Sequence, residues 1–334
     1  MNRTDIQLPY LSLVLTGRND NYGGDFRSRL QACVSNAFRQ LTEYRIRSEI
    51  IFVNYNPVAD NPPIEEFIDW PRSTGDVKVR IITVSNEIHQ DLVRDGTRKD
   101  VPVLEYLGKN AGIRRATGEF ILSMNPDIIL PAGVVRELVD LRSDTYYRAD
   151  RIDFEEDPDG RHRLLRLFLK GDDYAIRHRW QIIPRRIRNF FRIKWRLLTP
   201  HLSPLLNRYS VMVYYHNREC RYHCNVSGDF MLMHRSHWNA LNGHAEHPSI
   251  ALHVDSLTVI QAAFLPLREH TFLSPVFHRE HARRYDATKT DPDIVRAWDM
   301  YCGEADEMEQ TGTSRIYNDA YWGLSKFDLP EINP

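Results

Sequence analysis

Four groups of residues in this chain have types and spacings that could do chemistry. Asn125-Pro126-Asp127 closes an apolar run, and a carboxylate just past a strand end is a hard oxygen donor of the kind that suits Mg²⁺ or Mn²⁺. Its plain reading is a turn before a helix. His278-x-x-His281 follows the apolar stretch Phe272–Phe277, a spacing that suits a turn or one helical face. With 14 histidines in the chain, a lone imidazole would mean little. Asp229 precedes the run Phe230-Met-Leu-Met and reads as a strand-start residue, whereas Asp255 precedes Ser256-Leu-Thr-Val-Ile and reads as a helix N-cap. His216, Cys220, His223 and Cys224 include one pair at zinc-like spacing, but structural zinc wants two such pairs, so buried free thiols are the better reading. No Walker glycine loop occurs, and Tyr22-Gly-Gly lacks the spacing of a dinucleotide site, which argues against kinases and dehydrogenases.

The elements that must position these residues alternate. Leu11–Thr16, Glu49–Asn54, Lys78–Val84 and Glu119–Met124 read as buried strands. Between the first two, Asp25 could cap a helix whose apolar positions Phe26, Leu30, Cys33, Ala37, Phe38 and Leu41 recur at steps of three and four. A second helix is expected over Leu104 to Thr117, stopped by Gly118. Such alternation predicts an α/β fold with a mostly parallel central sheet and helices on both faces. Ligands of open sheets bind beyond the carboxyl ends of the strands, so Thr16–Asp20, Asn54–Asn56 and Asn125–Asp127 should gather at one edge.

The composition bounds the rest. Hydrophobic residues make up 42% of 334 positions and charged residues 27%, ordinary for a globular chain. Lys+Arg (44) and Asp+Glu (45) nearly cancel, so no global field recruits nucleic acid or acidic lipid. No apolar run approaches a membrane span, and the opening MNRTDIQLPYLSLVLTG is broken by Ser12 and too short for a signal-peptide core. Four cysteines fit a reducing, cytoplasmic setting. The segment 177–201 is strongly basic with interleaved Trp180, Phe190, Phe191 and Trp195. It reads as a peripheral membrane contact on the cytoplasmic face, a lid over phosphates, a solvated protrusion or, least well supported, a nucleic-acid contact.

Lys109-Asn-Ala-Gly-Ile-Arg-Arg-Ala-Thr-Gly-Glu-Phe-Ile-Leu-Ser-Met-Asn-Pro-Asp127 resembles the helix, strand and acidic motif of GT-A fold nucleotide-sugar glycosyltransferases, especially family 2. Leu13-Val-Leu-Thr-Gly-Arg-Asn-Asp20 is similar to their first strand and nucleotide loop. Ser227-Gly-Asp-Phe-Met-Leu-Met-His-Arg-Ser-His-Trp238, Asn242-Gly243 and His253-Val-Asp-Ser256 follow the order of their acceptor half. There are departures. Asn125-Pro126-Asp127 has one carboxylate where the usual motif has two, Asn54 stands where an acid is frequent, and His253 replaces the first acid of an E-D element.

The resemblance implies transfer of a sugar, hexosyl in type, from a UDP- or GDP-linked donor to a hydroxyl of a glycan or lipid-linked acceptor. Inversion, assisted by Mn²⁺ or Mg²⁺, is expected. It implies Asp127, His278 and His281 as metal ligands, Asp255 as the base and Asp229 as an acceptor-orienting residue or competing base. Thr16, Gly17, Arg18, Asn54, Lys109, Asn110 and Arg114 would surround the nucleotide. Residues 1–150 would form the nucleotide-sugar half, 151–210 a basic insertion, and 211–334 the acceptor half and tail. The alternative is a catalytically inactive relative that keeps the fold as a binding module.

Overall fold

The computed structural model describes residues 8–94, 101–154, 213–215, 218–220, 227–246, 253–279, 281 and 292–334. Strand β1 (Leu11–Gly17) leads into helix α1 (Phe26–Glu43), then β2 (Ser48–Tyr55), α2 (Ile64–Phe67), β3 (Val77–Val84), α3 (Asn86–Val93), α4 (Glu105–Arg115) and β4 (Phe120–Met124). Short β5 (Ile128–Ile129), α5 (Ala132–Glu137), β6 (Thr145–Arg148) and β7 (Arg151–Phe154) follow. The second half contributes β8 (Val213–Tyr215), β9 (Arg218–Cys220), β10 (Phe230–His234), α6 (Arg235–Leu241), α7 (Val254–Ala263), β11 (Arg268–Thr271), β12 (Val276–Arg279), α8 (Pro292–Thr311) and β13 (Glu331–Ile332). The basic segment 177–201 and the residues His216, His223 and Cys224 lie outside the described residues.

Eight strands form the central sheet in the order β11-β6-β10-β4-β1-β2-β3-β13. The core strands β4, β1, β2 and β3 are all parallel. β10 is antiparallel to both of its neighbours, β4 and β6. The α/β class and the helix-covered sheet are thus as the strand–helix alternation requires, and the four sequence-read strands agree to within one residue at each end. Their apolar runs are explained by burial on both faces. Leu13, Leu15, Phe52, Ile81, Leu122 and Leu232 point to the side of α1, α2 and α5, while Val14, Ile51, Val53, Ile82, Ile121 and Met233 point to the side of α4, α6, α7 and α8. α4 lies close to the sheet because its glycines let it: a Cβ on Gly112 would come within 2.5 Å of Val14, and one on Gly108 within 2.3 Å of Thr16. Among the described residues no helix is long and apolar enough to cross a membrane.

One buried carboxylate ties four segments at the amino end of the sheet. Glu49 accepts hydrogen bonds from Ser12 Oγ (2.5 Å), Thr117 N (2.6 Å) and Arg80 Nη1 (2.6 Å). Arg80 in turn forks onto Glu331 of β13 at 2.7 and 2.8 Å, which pins the C-terminal strand to β3. Burial would raise the Glu49 carboxyl, but these hydrogen bonds and the Arg80 charge outweigh it and hold the group below its ordinary value. A carboxyl whose folded value is depressed stabilises above its unfolded value and loses that contribution as the pH falls through the folded one. Glu49→Gln should therefore cost about 2 kcal/mol near neutral pH, the usual size for hydrogen bonds to a charged group. In urea titrations the gap between wild type and variant should narrow below about pH 4.5.

Candidate active site

Because β1 to β4 run parallel, their carboxyl ends open onto one edge, and the three polar clusters meet there. Arg18 Nε donates to Asn56 O at 2.6 Å, and the buried Asn19 amide bridges to Val58 N, Val58 O and Pro62 O. Asn56 itself adopts a left-handed backbone (φ 51°), which asparagine tolerates, and its side chain joins Pro102 O and Asn86. These amides build the floor of the edge out of loops that would otherwise bury unsatisfied backbone groups.

Past β4, the Asn-Pro-Asp segment makes a turn, with Ile128 N donating to Asn125 O at 3.4 Å. β5 then pairs antiparallel with β12, and the register sets Ile128 opposite His278. That pairing brings Asp127 beside the His-x-x-His segment. Asp127 Oδ2 lies 3.6 Å from His278 Nε2 and 3.2 Å from His281 Nε2. One ligand atom from each of the three residues lies within 4.8 Å of the others. Asp127 and His278 are 7% and 6% exposed, so the centre is shielded from bulk water. Burial would push the Asp127 carboxyl up, but His278, His281 and Arg29 together hold it well below the usual carboxylate range. Its other oxygen, Oδ1, is buried and has no hydrogen-bond partner among the described residues. An orphaned carboxylate oxygen beside two imidazoles fits a divalent cation of the Mn²⁺ type, which takes both donor kinds.

A second network joins this centre to Asp229 and Asp255. Asn125 Oδ1 accepts from Lys109 Nζ at 2.6 Å, and its Nδ2 donates to Asp229 Oδ1 at 2.9 Å. Arg151 Nη1 holds the other Asp229 oxygen at 2.7 Å. Burial pushes the Asp229 carboxyl up from its ordinary value; the Arg151 charge opposes this, and the nearby Asp127 charge adds to it. Asp255 sits in the first turn of α7, behind His253 at the N-cap with φ 62°. Its carboxylate does not cap its own helix. Asp255 Oδ2 instead accepts from Gly228 N (2.7 Å) and Ser227 Oγ (2.8 Å), fixing the turn that presents Asp229. Asp255 is half-buried.

The residues read as nucleotide contacts separate into two sets. Thr16, Gly17, Arg18 and Asn54 lie at the carboxyl edge. Thr16 Oγ1 donates to Val53 O at 3.2 Å, and a Cβ on Gly17 would come within 2.6 Å of Phe26. Asn54 is 3% exposed and its Oδ1 has no partner among the described residues. Lys109 reaches the same edge but fully buried, with its ammonium on Asn125, Gly228 O (2.9 Å) and Glu105 (2.7 Å). Asn110 and Arg114 are not brought to it. Asn110 faces the loop after α6, paired with His244 N, His244 O and Glu246. Arg114, at the end of α4 where the strands begin, stacks on Trp322 with 4.9 Å to the ring centroid. The helical pitch explains the split: 3.6 residues per turn carries Asn110 off the Lys109 face and Arg114 a full turn along the axis.

Sequence reasoning missed Arg29 and Arg151. Arg29 Nη1 lies 2.9 Å from Asp127 Oδ2, its Nε lies 3.0 Å from Asp25, and its Nη2 donates to Tyr22 O. Asp25 stands at the N-cap of α1 but makes no capping bond; its carboxylate holds Arg29 and Arg279 instead. The available signal was an arginine on the apolar stripe of α1, three residues after Phe26 and four before Cys33. Arg151 gave no comparable signal.

No family model matches the chain, and no curated protein matches it. Among solved structures the chain is similar to the mannosyltransferase PcManGT from Pyrobaculum calidifontis in complex with GDP-Man and Mn²⁺, at 11% identity over 93% of this chain and 67% of that chain, with a TM-score of 0.42. It is similar to S. aureus TarS 1-349 at 11% identity over 80% of this chain and 60% of that one, with a TM-score of 0.42. GalNAc-T7 with UDP, GalNAc and Mn²⁺ matches at 12% identity over 96% of this chain and 54% of that one, with a TM-score of 0.44.

Proposed function

We propose that the chain is a GT-A type glycosyltransferase that moves a hexosyl group from a UDP- or GDP-linked donor to an acceptor hydroxyl, with inversion and with Mn²⁺ or Mg²⁺. The acceptor is a glycan or a lipid-linked acceptor in polysaccharide or glycoconjugate synthesis. The observation that carries this reading is the meeting of Asp127 with His278 and His281, 151 and 154 positions further along the chain, at the carboxyl edge of the sheet and next to Asp229. Asp127, His278 and His281 would hold a cation there, and it would supply positive charge to offset the negative charge of the leaving diphosphate.

The chain's own residues divide the remaining work. Asn54 Oδ1, a buried acceptor lacking a donor, accepts from a base N–H or a ribose hydroxyl, with Thr16, Gly17 and Arg18 beside it. Asp229, with one oxygen on Asn125 and the other on Arg151, is rigid and orients the acceptor. Asp255 has both of its bonds on Oδ2, which leaves Oδ1 to take the proton from the attacking hydroxyl as it reaches the anomeric carbon. The imidazoles favour Mn²⁺ over Mg²⁺, because two of the three donors are nitrogen.

Thermal unfolding with a panel of UDP- and GDP-linked sugars tests the assignment. With Mn²⁺ present and the right donor at about 100 times Kd, stabilisation should be about 2.7 kcal/mol. EDTA should remove it. No response to any nucleotide sugar would sink the transferase reading.

A further inference from the structure

Arg29 has no place in the mechanism above, yet it is one of the largest fully buried side chains in the described structure. It is fixed from three directions, by Asp25, by the Tyr22 carbonyl and by Asp127. The Asp25 carboxylate also grips Arg279, whose Nη1 reaches Ser28 Oγ at 3.0 Å. Arg279 is the residue after His278. The start of α1, the Asp127 turn and the end of β12 are therefore one ionic cluster, and a permanent positive charge sits 2.9 Å from the oxygen that faces both imidazoles.

We propose that Arg29 is a resident counter-cation of the centre: it pairs with Asp127 when no metal is bound and competes electrostatically with the metal when one is. The inference rests on the metal reading of Asp127, His278 and His281. The physical argument is one of reference states. Without a cation, a carboxylate this buried is costly unless paired. Arg29 supplies the pair on Oδ2, which lets the fold close around an empty-handed centre, and Oδ1 is left as the atom for an ion. The same guanidinium repels an incoming divalent cation at close range in a shielded site. Arg29 thus trades metal affinity for stability of the metal-free fold, and gives a centre that releases its ion readily.

This predicts two effects of opposite sign, which a merely structural arginine would not produce. Arg29→Gln should melt lower than wild type in EDTA. It should also bind Mn²⁺ about tenfold more tightly, since it loses the like charge and starts from an unpaired carboxylate. The readout is Mn²⁺ titration followed by the electron paramagnetic resonance of the free ion, with no sugar donor needed. Arg29→Lys keeps the charge and should return Mn²⁺ affinity to near the wild-type value. If Arg29→Gln does not fold, Asp25→Asn removes the carboxylate that offsets the guanidinium, leaves Arg29 to lean on Asp127, and should weaken Mn²⁺ binding. Unchanged or weaker Mn²⁺ binding in the Gln variant, or unchanged or tighter binding in Asp25→Asn where that variant stands in for it, would overturn the proposal while leaving the metal centre standing. Absence of Mn²⁺ binding in wild type and variants alike would overturn the metal reading itself, and this inference with it.

Discussion

With Asp255 as the proposed base, Asp255→Asn is expected to lower kcat by about 10²- to 10⁴-fold and to leave donor affinity near wild type. The amide keeps an oxygen to accept from Gly228 N and Ser227 Oγ, so the turn at 227–229 holds and the loss reports proton transfer rather than collapse. Asp229→Asn behaves differently. A hydrogen bond that orients the acceptor acts in ground and transition states alike, so acceptor KM rises more than kcat falls. Steady-state kinetics with the acceptor varied separates the two. Slow turnover in Asp229→Asn beside near-normal turnover in Asp255→Asn would exchange the roles, and full activity in both would move the base elsewhere.

Asp127→Ala is expected to abolish Mn²⁺-dependent donor binding, because the substitution removes the one carboxylate of the proposed ligand set. It also takes from Arg29 its buried carboxylate partner and leaves only Asp25 and the Tyr22 carbonyl, so the variant is expected to be less stable as well. His278→Ala weakens donor binding less, since His281 remains beside Asp127 at 3.2 Å. Calorimetric titration of donor with and without EDTA gives the comparison. If EDTA changes nothing in any of the three proteins, Asn-Pro-Asp is only a turn here.

The parts of this arrangement that could be read in the sequence are those whose signal is local. Apolar runs at Leu11, Glu49, Lys78 and Glu119 declare strands because both sheet faces are buried, and parallel order then follows from the intervening helices. Asp127 was legible from its place after a strand. His278 and His281 were marked by their spacing and by family order, but their distance to Asp127 depends on the β5–β12 pairing, which joins residues about 150 apart and leaves no periodic trace. Asn110 looked like a site residue because it neighbours Lys109 in a motif, yet adjacent helix positions face different directions. It holds His244 instead, a histidine that burial keeps neutral between Ser123 and Thr258. Asp25 misled for a related reason. Acceptor groups at a helix start are used for capping unless a nearby cation competes, and Arg29 does so one turn later.

The antiparallel insertion of β10 between β4 and β6 has a consequence for how the protein is made. When Arg148 leaves the ribosome, β4 and β6 have both been synthesised, but the strand that separates them ends at His234, about 85 residues later. At about 5–20 residues per second, β4 and β6 wait roughly 4–17 s without the strand that pairs with both. Open edges carrying Ile121, Leu122, Tyr146 and Tyr147 are templates for wrong partners during that interval. The β4 edge is therefore completed only after residue 234 has been made. Slowing translation before residue 230 would lengthen the exposure, and aggregation yield would be expected to follow codon speed in that stretch.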